Sequence, residues 1–283
     1  MRAVEQAGDG DGGPVRRGAV PAAARLLRAG GGEAIERTVA AEMPTALSYN
    51  GVAHVVMMLT PADYSDFAVG FSLSEGVVAT VDEIGAVDVR ASEVGMLVDL
   101  RIPDTRFAAL LKRRRNLVGQ SGCGICGLEE LEETLRPLPP LDTRPRLDRT
   151  GIARALADLP RRQPLNAETG AVHAAAFCDV SGRIRAVRED VGRHNAFDKL
   201  IGHLARSGVD AHQGFALLTS RCSYELVEKA VMARIPALVT ISAPTALALE
   251  RARRARLTLI ALARADSMLC FNDPCGLFGE VAG

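Results

Sequence analysis

The sequence predicts an α/β protein in which a wound sheet with helices on both faces is joined to a smaller, β-rich N-terminal lobe. Three observations carry this. In the second half of the 283-residue chain, apolar runs at 171–180, 183–188, 215–219, 237–242 and 257–263 alternate with helical patterns at 194–206, 223–234 and 245–255, the rhythm of a sheet wrapped by helices. In the first half, strand-like stretches predominate, and Asn50-Gly51 marks a hairpin turn between two of them. Between the halves stand a Gly-rich segment with two cysteines and a Pro-rich connector. Ligands of wound sheets sit beyond the carboxyl ends of the strands, so the strand-to-helix junctions are the places to look for a site.

Taken in order, residues 1–32 are rich in Gly, Ala and Arg, bury too little to offset the entropy of ordering, and are expected to be a disordered tail. Residues 33–118 are expected to form the N-terminal lobe. There Thr60-Pro61-Ala62-Asp63 supplies a capping hydroxyl, Pro at the first helical position and a carboxylate in the first turn, predicting a helix to about Glu75. A second strand pair is expected at 84–102. A short helix follows over 107–115, ending in the cations Lys112 to Arg115, where the helix dipole favours positive charge. Residues 119–127 read as a mobile, Gly-rich C-x-x-C loop, 128–148 as a connector, and 149–283 as the wound α/β domain.

Composition excludes several partners. The 34 basic and 34 acidic side chains cancel, so no electrostatic footprint for duplex nucleic acid or an anionic membrane is present. No apolar run approaches the ~18 residues of a membrane span, and the N-terminus lacks a secretory pattern, so the expected location is the cytoplasm. Its six cysteines are then expected to be reduced.

Those cysteines frame the first candidate site. In Gly119-Gln120-Ser121-Gly122-Cys123-Gly124-Ile125-Cys126-Gly127 the glycines leave both sulfurs uncovered, which suits presentation of thiols and not packing. Three chemistries stay open. A zinc site needs four ligands, and the only further spaced pair is Cys270 and Cys275. A thioredoxin-like pair prefers the start of a helix after a strand. The third is a nucleophilic or sulfur-carrying cysteine on a flexible arm, its thiolate favoured by nearby cations. Of the remaining thiols, Cys178, Cys270 and Cys275 are expected to be buried and Cys222 to be a buried or edge thiol.

Two further clusters fall on strand-to-helix junctions. Glu189-Asp190-Val191-Gly192-Arg193-His194-Asn195 places charged groups before a helix whose apolar face is Ala196, Phe197, Leu200, Ile201 and Leu204; it serves either a ligand or internal caps and ion pairs. Thr219-Ser220-Arg221-Cys222-Ser223-Tyr224-Glu225 offers hydroxyls, a guanidinium and helix amides to an anion, and Ser242-Ala243-Pro244-Thr245 repeats the arrangement. Three such turns together suit a ligand with phosphates.

At these residues the chain resembles the FdhD/NarQ family of formate dehydrogenase accessory sulfurtransferases. The resemblance rests on P-A-D-Y-S-D-F-A-V-G-F-S-L-S-E-G-V-V, S-G-C-G-I-C-G, E-D-V-G-R-H-N-A-F-D-K-L, S-R-C-S-Y-E-L-V-E-K and S-A-P-T-A-L-A-L-E, in family order over about residues 35–273. It implies a cytidine deaminase-like fold for the second domain and a homodimer. It also implies transfer of sulfur from a cysteine desulfurase to the molybdenum cofactor, in its bis-molybdopterin guanine dinucleotide form, before that cofactor enters formate dehydrogenase. By the same resemblance Cys123 is the persulfide carrier and Cys126 an assisting or resolving thiol. The guanine dinucleotide cargo would meet Leu262, Ala263, Arg264, Ala265, Asp266 and Ser267, together with Arg193, His194, Ser220 and Arg221. No permanently bound metal is expected. The zinc deaminase signature is missing, since no histidine stands two residues before a glutamate.

Overall fold

The computed structural model describes residues 18–119 and 136–279. The expected C-x-x-C loop with Cys123 and Cys126, and residues 1–17 of the expected tail, lie outside the described residues. The rest of that tail is not disordered: β1 (Ala19–Arg28) and β2 (Gly31–Ala40) form an antiparallel ribbon with Ala19 opposite Ala40 and Arg28 opposite Gly31. Most of its side chains are exposed. A ribbon satisfies its backbone by cross-strand pairing without a core, and composition alone does not register that.

β3 (Met43–Tyr49) and β4 (Val52–Leu59) follow, turning at Asn50 and Gly51, both at positive φ (50° and 80°), as the Asn-Gly pair requires. α1 (Tyr64–Ser74), β5 (Ala86–Ala91), β6 (Met96–Arg101) and α2 (Asp104–Gly119) complete the lobe, whose sheet runs β4-β3-β6-β5. Leu47, Tyr49, Val98 and Leu100 bury one face of this sheet with Ala68 of α1 and Leu110 of α2. The helix α1 starts later than its sequence signal, after Asp63, and Thr60 is not its cap. Thr60 is instead buried: its N–H donates to Asp190 (3.0 Å) and its hydroxyl accepts from the Val191 N–H (3.0 Å). A hydroxyl before a helix reads as a cap locally; here a long-range partner claims it.

In the second domain, α3 (Arg149–Asp158) is capped by Asp148, which accepts from the Gly151 N–H at 2.7 Å. The short α4 (Pro164–Thr169) then leads to β7 (His173–Asp179), β8 (Ile184–Asp190), α5 (Arg193–Arg206) and β9 (Gly214–Leu218). α6 (Tyr224–Met232), β10 (Ala237–Thr240), α7 (Ala246–Arg254), β11 (Thr258–Ala261) and β12 (Leu269–Asn272) complete it. The six strands are ordered β12-β11-β10-β9-β7-β8; β9, β10 and β11 are parallel and the other pairings antiparallel. The parallel strands are buried along their whole lengths, as strands covered on both faces must be. One core joins the sheet to Phe197 and Leu200 of α5, Leu226 and Ala230 of α6, and Ala248 and Ala252 of α7. The other joins it to Ile152, Ala155 and Leu156 of α3. The domain is therefore a mixed α/β sheet that packs helices on both faces.

α1 and α5 cross at backbone contact and lock the two lobes together. A Cβ on Gly70 would stand 1.7 Å from the Asp198 carbonyl oxygen, and one on Gly202 would stand 1.8 Å from that of Asp66. Around the crossing lie buried ion pairs. Lys199 meets Asp190 at 2.6 Å, both side chains fully buried, and donates to the Thr60 carbonyl at 3.0 Å. Lys229 meets Asp198 at 2.9 Å, and Ser74 donates to the same carboxylate at 2.6 Å. Asp66 takes Arg188 at 2.7 Å and Arg206 at 2.5 Å.

Gly70→Ala is expected to cost about 3 kcal/mol, at the upper end for overpacking, because only helix backbone is available to give way. Gly85→Ala, where the nearest atom to a Cβ is 3.6 Å away, is the control. Urea unfolding of the two variants checks this: a large fall in midpoint for Gly70→Ala and almost none for Gly85→Ala.

Candidate functional site

Strand direction brings the junctions to one edge. β9, β10 and β11 end there at Leu218, Thr240 and Ala261; β8 ends there at Asp190, opposite His173 where β7 begins. Successive loops are stitched along the edge. The Ile241 N–H donates to the Leu218 carbonyl (2.9 Å), Leu262 N–H to Ser242 (3.3 Å), Cys222 N–H to Ala243 (3.1 Å) and Thr245 N–H to Cys222 (3.0 Å).

Much of the first junction is internal framework. Glu189 caps α4 by accepting from the Leu165 and Asn166 N–H groups at 3.0 and 2.8 Å. Asp190 accepts from Gly192 N–H at 2.8 Å and Asn195 at 3.2 Å, and Asn195 also donates to the Met58 carbonyl at 2.8 Å. Asp198 and Lys199 belong to the lobe interface. Arg193 and His194 are left facing the edge. Among the described residues Arg193 makes no ion pair, and its Nε is buried without a partner. His194 Nε2 lies 3.4 Å from Ser223 Oγ and 3.8 Å from a Glu225 oxygen. Burial, reinforced by the Arg193 charge, lowers the His194 imidazole to about 4, so it is neutral at pH 7. The same two causes lower His173.

At the second junction Ser220 is buried, its hydroxyl donating to the Arg221 carbonyl at 3.1 Å, while Arg221 is exposed. Cys222 is sealed and burial pushes its thiol up to about 12, so it is no nucleophile. Cys178 is likewise buried and its thiol raised. Cys270 is exposed and Cys275 partly so, contrary to the expectation that both are core thiols; β12 is an edge strand that carries Cys270, and Cys275 lies in the turn after it.

Residues 262–267 lie farther along the edge. Leu262 adopts φ 52° and is exposed, whereas Ala263 is fully buried and offers backbone only. The Arg264 guanidinium donates to the Ile241 and Ala263 carbonyls at 2.6 and 2.9 Å. Arg149 donates to the Asp266 carbonyl (2.7 Å), Ser267 donates to the Asp266 side chain (3.2 Å), and Ala265 is exposed. The structure thus gathers Arg193, His194, Ser220 and Arg221 near β7 and β9 and sets 262–267 beside β10 and β11, on the order of 10 Å away by strand spacing. His173 joins the first group, a placement visible only once sheet order is known. Ser223 and Glu225 complete it.

The flanks of the two-cysteine segment are also fixed. Arg113 of α2 donates to the Glu75 carbonyl at 3.3 Å, and Arg136 donates to the Ser74 carbonyl, both at the C-terminal end of α1. Arg136 further pairs with Glu228, which holds Arg251 at 2.5 Å. Chemically, the edge offers an uncompensated guanidinium, a second exposed one, hydroxyls, neutral imidazoles and the amide ends of α5 and α6, a set that accepts an extended anion.

The lowered His194 has a consequence for stability. An unfolded histidine, near 6.5, binds a proton that the folded one refuses, so stability falls as pH drops from about 6.5 to 4. His194→Gln is expected to flatten part of that fall, measured as thermal midpoint against pH; an unchanged slope means that the imidazole is not held neutral.

Comparison with known proteins now bears on this geometry. The chain is 53% identical over 261 residues to the sulfur carrier protein FdhD of Xanthomonas campestris pv. campestris, covering 92% of this chain and 93% of that protein. It is 45% identical over 264 residues to the sulfur carrier protein FdhD of Variovorax paradoxus, covering 92% and 95%. The fold is shared with a crystal structure described as a formate dehydrogenase accessory protein from Desulfotalea psychrophila. That match has a TM-score of 0.73 and 24% identity, and covers 90% of this chain and 97% of that one. The pattern of the FdhD/NarQ family matches residues 40–277, and with these relatives it shows that the chain belongs to the FdhD/NarQ family.

Proposed function

We propose that this chain is a sulfur carrier for formate dehydrogenase, loading sulfane sulfur on Cys123 from a cysteine desulfurase and passing it to the molybdenum cofactor before insertion. The observation that carries the reading is the 53% identity, across 92% of the chain, to a protein named as a sulfur carrier. The mixed sheet, with three parallel strands and helices on both faces, is compatible with the cytidine deaminase-like fold that the family resemblance implies. In this reading the protein works in the reducing cytoplasm as a homodimer, with the bis-molybdopterin guanine dinucleotide cofactor as cargo.

Loading is thiolate exchange. The Cys123 thiolate attacks the terminal sulfur of the donor's persulfide, a new S–S bond forms on Cys123, and the donor cysteine leaves as thiolate; no net oxidation occurs. Delivery as sulfide needs two electrons, which Cys126 supplies by attacking Cys123 Sγ. Sulfide leaves, a Cys123–Cys126 disulfide remains, and a dithiol reductant reopens it. On either side of residues 120–135, Arg113 and Arg136 are tied to the C-terminal end of α1. At the strand ends Arg193, Arg221 and the amide ends of α5 and α6 meet the cargo's phosphates, Ser220 and neutral His194 supply hydrogen bonds, and residues 262–267 receive its far end.

Incubation with a cysteine desulfurase and cysteine is expected to add ~32 Da steps, read by intact mass and mapped to Cys123. Cys123→Ser is expected to remove them while leaving the far-ultraviolet circular dichroism unchanged. Loading of the serine variant at the wild-type level overturns Cys123 as the carrier, and a Cys123→Ala variant that still restores formate dehydrogenase activity favours a non-covalent cofactor chaperone.

A further inference from the structure

At the opposite end of the six-stranded sheet, α3, the turn after it and the β7–β8 turn enclose a cleft of about 570 Å³. Four arginines line it, Arg154, Arg161, Arg162 and Arg183, against the single carboxylate of Asp158. In a chain whose charges cancel overall, this is a marked local excess of positive charge.

Its floor is built and rigid. Asp179 accepts from the Ser181 N–H (3.0 Å), the Ser181 hydroxyl (2.7 Å) and the Arg183 N–H (3.1 Å), which fixes the turn. Gly182, at φ 79°, lies so close to α3 that a Cβ would stand 1.9 Å from the Gly151 carbonyl oxygen. Arg154 donates to the Ser181 carbonyl at 2.9 Å and closes the corner. Arg162 pairs with Asp158 at 3.2 Å. The side chains of Arg161 and Arg183 are exposed and, among the described residues, have no carboxylate partner.

We propose that this cleft docks an acidic segment of a partner protein. Charge complementarity chooses the occupant. The guanidiniums are spread over an open trough and all exposed, so they match several carboxylates along a chain; a single phosphate would instead require donors converging on one buried point. The cleft lies about 20 Å from the strand-end edge, the length of a six-residue strand. A partner seated there therefore leaves that edge free. The proposal does not rest on the sulfur-transfer reading.

The test uses a fluorescein-labelled decaglutamate peptide and the full chain, with binding followed by anisotropy at low and high ionic strength. Arg161→Glu with Arg183→Glu is expected to weaken binding by about tenfold, and Arg37→Glu with Arg253→Glu, the same charge change elsewhere on the surface, by less than about twofold. Should the reversals lower the thermal midpoint, Arg161→Gln with Arg183→Gln replaces them, with a smaller loss in the same direction. No binding at low ionic strength, equal losses in the two double variants, or displacement of the peptide by equimolar inorganic pyrophosphate overturns the proposal; the last outcome marks a phosphate site.

Discussion

The structure depends on the place where α1 and α5 touch backbone to backbone. With Gly70 and Gly202 facing each other's helices, no side chain separates them, and Asp190, Asp198, Lys199 and Lys229 are all buried beside the approach. Ions so placed must be paired, because an uncompensated buried charge costs several kcal/mol. Lys199 with Asp190 and Lys229 with Asp198 answer that requirement across separate elements. Thr60 adds its N–H, hydroxyl and carbonyl to the first pair. The lobes are consequently joined by buried polar groups from both, Thr60 and Ser74 on one side and Asp190, Asp198, Lys199 and Lys229 on the other.

This constraint explains how the strand-end edge is set. The stretch from Glu189 to Lys199 serves two masters. Glu189, Asp190, Asn195, Asp198 and Lys199 bind framework: a helix cap, a turn, a strand carbonyl and two ion pairs. Arg193 and His194, between them, are held outward by neighbours that are all engaged. The second lobe interface, through Ser74 and Glu75, meets Lys229 of α6 and anchors both flanks of the two-cysteine segment. One packing decision thus positions the strand-end edge and holds Arg113 and Arg136, on either side of residues 120–135, against the end of α1.

Patterns with short range were legible in the sequence. Asn50-Gly51 needs positive φ and folded as a hairpin; the buried runs of β9, β10 and β11 and the amphipathic helices between them emerged within two or three residues of their expected ends. What was not legible depended on partners distant in the chain. Thr60 reads as a cap until Asp190, 130 residues on, takes its N–H. Residues 18–32 read as a tail because their composition lacks a core, whereas pairing with β2 supplies what the backbone needs. The junction polar groups were visible as a cluster, but their division into framework and edge follows from the α1–α5 crossing. His173 had no local signal at all, and the exposure of Cys270 follows from β12 lying at the sheet's edge.

Electrostatically the edge leaves the Arg193 guanidinium without an ion pair among the described residues and holds two imidazoles neutral, so an arriving anion meets Arg193 and Arg221 against the nearby Glu225 carboxylate. We propose that this edge receives the nucleotide part of the cofactor. Photolabelling with 8-azido-GDP followed by peptide mapping tests it most directly. Labelled peptides are expected to contain residues 189–195, 219–225 or 262–267, with excess GDP suppressing the label. Suppressible labelling confined to the arginine cleft of α3 and the β7–β8 turn, or to the N-terminal sheet, would contradict the account.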